Sequence, residues 1–417
     1  MLTLCTSMAV LHRFARATPD ALAAWQAPRL IALMQRAAAQ VPFYSALWTE
    51  RGQDPHAVRG MEQWAQVPVV SHVAYRRASV ESRCFPGARL EGCERRKTSG
   101  SSGIPLEVYT SRSDLIVRKT IWWRARWAAG LRPGWRQWTV GGFHAKRITP
   151  WARHWHWYAP LEAAFAQMMR GKAPDVLHGY PSALLVLMEQ LREAGAPPPR
   201  LKAVTTGGET LEPALRAALS AFFSAPVHDF YGCHEAGVIA APCAAGPGFH
   251  VASPYHFVEL LRDGRPAQPG ETGELVLTSL LAQPMPYVRY EVGDLAVAGT
   301  PNCPCGSPHL KIESIAGRSA DVLTGPTGKT ISAMFVNKPY FDRRDILQYR
   351  VTQTARDAVV VELLAHADLD AKLIADIRAF YSRELEIASV EIRRVASLEP
   401  LAGGKHKRFV ALKGATS

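Results

Sequence analysis

Residues 175–231, DVLHGYPSALLVLMEQLREAGAPPPRLKAVTTGGETLEPALRAALSAFFSAPVHDFY, decide the fold class. Val176-Leu177-His178-Gly179 is a short apolar run that reads as a strand. From Pro181 to Ala194 a proline opens the first turn, leucines recur at helix spacing, and Gly195 stops the run. Leu201 to Thr205 is strand-like, Gly207-Gly208-Glu209 is a turn, Pro213 to Phe223 is a helix, and Val227 to Tyr231 is a strand. This alternation predicts a βαβαβ unit with a parallel sheet. Ligands of such sheets gather beyond the carboxyl ends of the strands. Gly207-Gly208-Glu209 and Tyr231-Gly232-Cys233-His234-Glu235 both fall there.

Upstream, Lys97 to Pro105 reads Lys-Thr-Ser-Gly-Ser-Ser-Gly-Ile-Pro. Small side chains at Thr98, Ser99, Gly100, Ser101, Ser102 and Gly103 let backbone N–H groups turn toward one point and wrap a polyphosphate. Taken alone, such a run is equally a flexible surface loop. It is not a Walker A loop, because no Gly-Lys-Ser/Thr closes it. The β-leaning run Ile104 to Tyr109 follows.

Residues 12–48 read as helical, with Leu22, Trp25, Leu30, Leu33, Met34 and Ala37 at helix spacing and Pro42 ending the run. Val67, Val69 and Val70 suggest a short strand, and 113–129 a second helix. Eight of the eleven tryptophans lie within 121–158: Trp122, Trp123, Trp127, Trp135, Trp138, Trp151, Trp155 and Trp157. Several are expected in the core, and others could wall an apolar pocket. Residues 256–298 look antiparallel, with strands Phe257 to Leu261 and Glu274 to Thr278 and a turn at Asp263-Gly264. Past Gly317, strands at 351–354, 359–364 and 390–395 and a helix at 369–385 suggest a small α+β domain. The expected fold is therefore α/β. A large N-terminal domain, 1–317, carries mixed and parallel sheets flanked by helices, and a small C-terminal domain, 318–417, follows.

A chain of 417 residues has room for two or three domains with sizeable cores. Apolar content of 47% and charged content of 20% are ordinary for a globular protein. The net charge of +13 favours an anionic ligand such as a nucleotide, a coenzyme or a membrane surface. The charge is scattered, without a long basic block, so nucleic acid is not an expected partner. Seven cysteines, an odd number, suit a reducing compartment. No stretch reaches the roughly 18 apolar residues of a membrane span. Met1 to Val10 lacks the basic lead of a signal peptide. The expectation is a cytoplasmic protein without a membrane partner.

Four more segments carry chemistry. Glu235 closes Tyr231-Gly232-Cys233-His234-Glu235, just past a strand, where a Glu is also an ordinary loop residue. Asp294 closes Val288-Arg289-Tyr290-Glu291-Val292-Gly293-Asp294, and Gly-Asp pairs also cap ordinary turns. Gly317-Arg318-Ser319-Ala320-Asp321 sits at the expected domain boundary. Lys405 follows Gly403-Gly404 near the end, where Lys405-His406-Lys407-Arg408 could also be a solvated basic tail.

In their order these motifs resemble the adenylate-forming superfamily of acyl-CoA synthetases. The nearest branch is the phenylacetate–CoA ligase family with its capsular-polysaccharide-biosynthesis relatives, over about residues 25–412. The resemblance implies that the Ser/Gly loop cradles the ATP phosphates, that Glu235 holds Mg²⁺, and that Tyr231 stacks on adenine. It places Gly207, Gly208, Glu209 and Gly232 around the nucleotide, Asp294 on the ribose and Arg318 at a mobile hinge. Lys405, with Glu235 and His234 beside it, would stabilise the in-line attack of a carboxylate on the α-phosphate as pyrophosphate leaves. ATP, Mg²⁺ and CoA are the implied cofactors, a small carboxylic acid is the substrate, and a homodimer is suggested by analogy.

The sequence departs from the family pattern at three places. Ile104 stands where many members carry Lys, leaving Arg96 or Lys97 to balance the phosphates. His234 replaces a hydroxyl residue. Ala320 stands where the hinge Asp belongs, with Asp321 one residue late. These departures leave two alternatives: an amide synthetase with an amine acceptor, or a catalytically inactive zinc-stabilised binding protein. Finally, Cys243, His250, Cys303 and Cys305 form two soft pairs whose donors suit a closed, structural Zn²⁺ site.

Overall fold

The computed structural model describes residues 2–97, 106–140, 156–281, 284–318, 322–332, 339, 345–365, 368–398, 408–410 and 412. The Ser/Gly loop (98–105), Ala320 and Asp321, and Gly403, Gly404 and Lys405 lie outside these residues. The chain divides into two compact units, Met1–Gly130 with Tyr231–Ile315, and Leu131–Phe230 with Ala316–Ser417.

The first unit opens with helices Leu2–Arg13, Pro19–Gln40 and Pro42–Glu50. The single helical run expected over 12–48 is therefore broken twice. The Thr18 side chain caps the second helix by accepting from the Ala21 amide. Pro42 starts a helix instead of ending one, because proline at the first helical position gives up only an N–H that has no partner there. Val67 and Val69 form no strand. Val70 makes a lone bridge to Tyr290 after a 3₁₀ turn, Met61–Gln66.

An antiparallel sheet forms the body of this unit. Strands His256–Arg262, Thr272–Ser279 and Tyr287–Ala298 pair in succession, from His256 opposite Ser279 to Thr272 opposite Val297. Asp263 and Gly264, both at positive φ (51° and 76°), make the tight turn after the first of them. Gly237–Pro242 pairs with Phe249–Val251, which pairs with Lys311–Arg318 at Ile312. The core holds Leu30, Met34, Trp48 and Trp64 with the ring cluster Tyr44, Tyr75, Tyr287 and Tyr290.

The second unit contains the parallel sheet that residues 175–231 predict. Strands His156–Ala159, Gln137–Val140, Val176–Gly179 and Ala203–Gly207 run parallel, and Val227–Phe230 completes the row. Helices Pro181–Glu193 and Pro213–Phe223 bury Leu184, Leu187, Leu191, Leu215 and Phe223 against it. The strand Val227–Cys233 crosses the division, its last three residues belonging to the first unit. A four-stranded sheet, Ser389–Arg394, Ala358–Ala365, Ile346–Ala355 and Phe409–Val410, packs with helix Ala371–Leu385 around Tyr349, Ile377 and Tyr381.

The tryptophan expectation needs correcting. Among the described residues of 121–158, none of Trp122, Trp123, Trp127, Trp135, Trp138 and Trp157 is fully buried; the buried tryptophans are Trp48 and Trp64. Trp138 and Trp157 pack edge to face beside a core (centroids 4.8 Å apart), whereas Trp123 and Trp127 are 42% and 61% exposed. Helix Arg112–Ala128 already fills its inward face with Val117, Thr120, Ile121 and Ala125, so Trp123 and Trp127 point outward.

Candidate functional site

Tyr231, Glu235, Tyr290 and Asp294 meet in the first unit. The Tyr231 hydroxyl donates to Asp294 Oδ2 at 2.7 Å, and the Tyr290 hydroxyl donates to Glu235 Oε1 at 3.0 Å. Two motifs 55 to 63 residues apart in sequence are thereby cross-linked side chain to side chain. Glu235 is 3% exposed, and no lysine or arginine forms an ion pair with it among the described residues. Burial, reinforced by the Glu235 charge, pushes Tyr290 well above the usual phenol range, so its proton stays in place to be donated. Burial likewise drives the Cys233 thiol upward and keeps it neutral beside Glu235.

Strand and turn chemistry set this geometry. Gly232 faces the Gly237 carbonyl where strands Val227–Cys233 and Gly237–Pro242 pair, and a Cβ there would collide with that backbone oxygen. Gly293 sits at φ 83°, turning the long strand so that Asp294 is presented to Tyr231. His234 is exposed, and its carbonyl accepts from Arg118 Nη1 at 3.0 Å.

Arg118 was not legible as a site residue. It lies mid-helix in Arg112–Ala128, and its second nitrogen donates to the Glu235 carbonyl. One guanidinium thus grips two successive main-chain carbonyls, those of His234 and Glu235, and pins the backbone that carries the Glu235 side chain. Arg289, the first polar residue of the Val-Arg-Tyr motif, points away into the protein. Nε and Nη2 make a bidentate pair with Glu259 (3.0 and 2.9 Å), and Nη1 donates to the Val67 carbonyl at 2.5 Å.

In the second unit, Gly207-Gly208-Glu209 lies at the carboxyl end of strand Ala203–Gly207. A Cβ on Gly207 would stand 2.9 Å from the Phe230 carbonyl oxygen, and Gly208 has φ 81°. The Glu209 carboxylate accepts from the Ser182 amide (3.1 Å) and hydroxyl (3.0 Å), capping helix Pro181–Glu193. Beside it, Arg408 is enclosed by Glu212 (2.6 Å), Thr210 Oγ1 (2.9 Å) and the Tyr349 hydroxyl (3.1 Å). Asp229 on the last parallel strand accepts from the Thr206 hydroxyl at 2.6 Å, and burial pushes its carboxyl up to about 6. Arg318 ends strand Lys311–Arg318.

Cys243, His250, Cys303 and Cys305 come together with all their ligand atoms within 4.8 Å of one another. Cys243 Sγ lies 3.4 Å from Cys303 Sγ, and Cys305 Sγ 3.2 Å from His250 Nε2. A tetrahedron with zinc–sulfur bonds of ~2.3 Å has edges of ~3.8 Å, so the spacing fits that ion. Around it, His250 Nδ1 meets the His309 carbonyl at 3.1 Å, which leaves Nε2 turned to the centre, and the Ala245 amide donates to Cys243 Sγ.

The family model described as AMP-binding enzyme matches residues 152–281. The phenylacetate-coenzyme A ligase of Thermus thermophilus is 27% identical over 328 residues, covering 73% of this chain and 72% of its own. The phenylacetate-coenzyme A ligase of Aromatoleum evansii is 25% identical over 326 residues, covering 74% and 73%. The crystal structure of 2-hydroxyisobutyryl-CoA ligase in the postadenylation state superposes with TM-score 0.74 at 20% identity, over 93% of this chain and 88% of that one, which shows a shared fold. The chain thus carries an AMP-binding enzyme segment, is similar over about three quarters of its length to phenylacetate–coenzyme A ligases, and shares the fold of a 2-hydroxyisobutyryl-CoA ligase.

Proposed function

We propose that the protein is an AMP-forming acid–thiol ligase. A carboxylate attacks the α-phosphate of ATP, giving an acyl-adenylate and pyrophosphate, and the CoA thiol then takes the acyl group and releases AMP. The observation that carries this reading is the contact of Tyr231 with Asp294 and of Glu235 with Tyr290. It brings an acceptor for the ribose diol and a buried carboxylate together from two segments of the chain, as a bound nucleotide requires. The named relatives, phenylacetate–CoA ligases, favour an apolar or aryl acid.

Each residue has a defined part in this scheme. Asp294, oriented by the Tyr231 hydroxyl at Oδ2, offers its carboxylate to the ribose hydroxyls. Glu235, buried and without a basic partner among the described residues, suits a cation. Bound there, Mg²⁺ would neutralise phosphate charge as it develops. The loop Thr98 to Gly103 offers amides and hydroxyls to the phosphates, Lys405 offers its ammonium to the reacting α-phosphate, and Arg318 marks a hinge between domains 1–317 and 318–417. Zinc at Cys243, His250, Cys303 and Cys305 would staple the loop 300–310 to strand Phe249–Val251, away from the chemistry.

The test is to incubate the protein with ATP, Mg²⁺ and a panel of aryl and alkyl acids, with and without CoA, and to identify products by mass spectrometry. Acyl-CoA and AMP with at least one acid support the reading. Adenylate that passes only to an amine would replace CoA as acceptor. No adenylate with any acid would overturn the proposal.

A further inference from the structure

Helices Leu2–Arg13 and Arg112–Ala128 pack side by side, and between them runs an open groove of about 820 Å³. Its walls include Leu4, Met8, Ala9 and Trp127. Leu4 is 45% exposed, and Trp123 and Trp127 stand four residues apart on one face of their helix. Four large apolar side chains thus share one water-facing patch, which a folded protein seldom leaves uncovered.

The exposed charge on these two helices has one sign. A second hollow beside the groove is lined by His12, Arg13, Arg16 and Arg124. The sequence holds no acidic residue before Asp20, and Asp114, the one acid in helix Arg112–Ala128, is buried. Arg112 and Lys119 add exposed cations to that helix. Beneath the tryptophans, Arg126 is 4% exposed. Its guanidinium lies 4.4 Å from the Trp122 ring centre and 5.9 Å from that of Trp123. Arg126 has no carboxylate or hydrogen-bond acceptor among the described residues, and its Nε is buried without a partner.

We infer that this face docks on an anionic phospholipid membrane. A second copy of the chain fits poorly, because a two-fold contact would set cations against cations. A bilayer supplies both of the complements that are missing. Its headgroup–acyl boundary takes Trp123, Trp127, Leu4 and Met8, since indole rings favour that depth. Its phosphates meet Arg13, Arg16 and Arg124, whose long stems reach out to them. No helix among the described residues is long and apolar enough to cross a membrane, so the contact is peripheral. The inference revises the expectation of no membrane partner and does not depend on the ligase reading.

The test is co-sedimentation of the full chain with vesicles of phosphatidylcholine alone and of phosphatidylcholine mixed with phosphatidylglycerol, at low and high salt. Binding is expected only to the anionic vesicles and is expected to fall with salt. Arg13→Glu with Arg16→Glu should weaken it at least about 25-fold, each cation near the surface being worth about fivefold. Trp123→Ser with Trp127→Ser should abolish pelleting while the thermal melt stays unchanged, because both side chains are exposed. Equal pelleting with both vesicles, or none with either, overturns the inference. So does a dimer, seen by light scattering, that the tryptophan variant dissociates.

Discussion

Arg289 is held at φ 42°, a backbone conformation that costs a non-glycine residue roughly 1 kcal/mol or more, and its guanidinium is 5% exposed. It persists because Glu259 and three carbonyls at the end of one 3₁₀ turn, from Trp64, Ala65 and Val67, take up its donors. Removing it strands Glu259 inside the protein. Arg289→Ala is expected to lower unfolding free energy by about 3–5 kcal/mol in urea titrations. Arg289→Lys should recover only part of that, because an ammonium cannot make the bidentate pair. Asp229 makes the opposite kind of statement. Its carboxyl is raised to about 6 by burial, against about 3.9 in an unfolded chain, so the folded state holds the proton more tightly. Stability contributed by that proton is complete below about pH 4 and lost as pH rises through about 6, by up to about 3 kcal/mol. Asp229→Asn should therefore gain on the parent protein in thermal melts at pH 8 and show little difference at pH 4. A gain at pH 4 that vanishes at pH 8 would reverse the assignment.

The cluster of Cys243, His250, Cys303 and Cys305 is held between strands, and the proposed zinc would act there. Cys243 follows strand Gly237–Pro242, His250 lies within strand Phe249–Val251, and Cys303 and Cys305 sit in the loop before strand Lys311–Arg318. Purified protein is expected to release about one zinc per chain to a chelator with a colorimetric indicator. Cys303→Ser should lose most of that metal and melt at lower temperature, whereas Cys5→Ser, which removes an exposed thiol outside the cluster, should change neither. The parallel elements were the most readable part of the chain. Proline at a first turn and the apolar run behind it placed helix Pro213–Phe223 without error, and Gly195 marked the end of helix Pro181–Glu193. Helix and strand periods fail where tertiary contacts decide. Val67 and Val69 carry strand propensity, but the Val67 carbonyl is taken by Arg289 and only Val70 makes a bridge. The tryptophans of helix Arg112–Ala128 carry core propensity but lie on its outer face. Arg118 carried no signal either, since its role depends on where a helix comes to rest against a loop 116 residues later.

Across the molecule, the motif pairs were legible because a bound nucleotide needs several unlike groups at fixed spacing, and that need leaves ordered traces along the chain. What sequence could not supply is contact. The pairing of Tyr231 with Asp294, the cap that Glu209 makes on Ser182, and the grip of Arg118 on the Glu235 carbonyl all join residues far apart in order. Glu235 and Asp294 belong to the first unit, Gly207 to Glu209 and Arg408 to the second. Exchange of labelled pyrophosphate into ATP, measured across a panel of carboxylic acids, reads the proposed adenylation before any acceptor is added. The account predicts exchange that requires an acid and Mg²⁺ and that falls by about a hundredfold or more in Lys405→Ala and Glu235→Gln. Exchange absent with every acid, or undiminished in both variants, would contradict it.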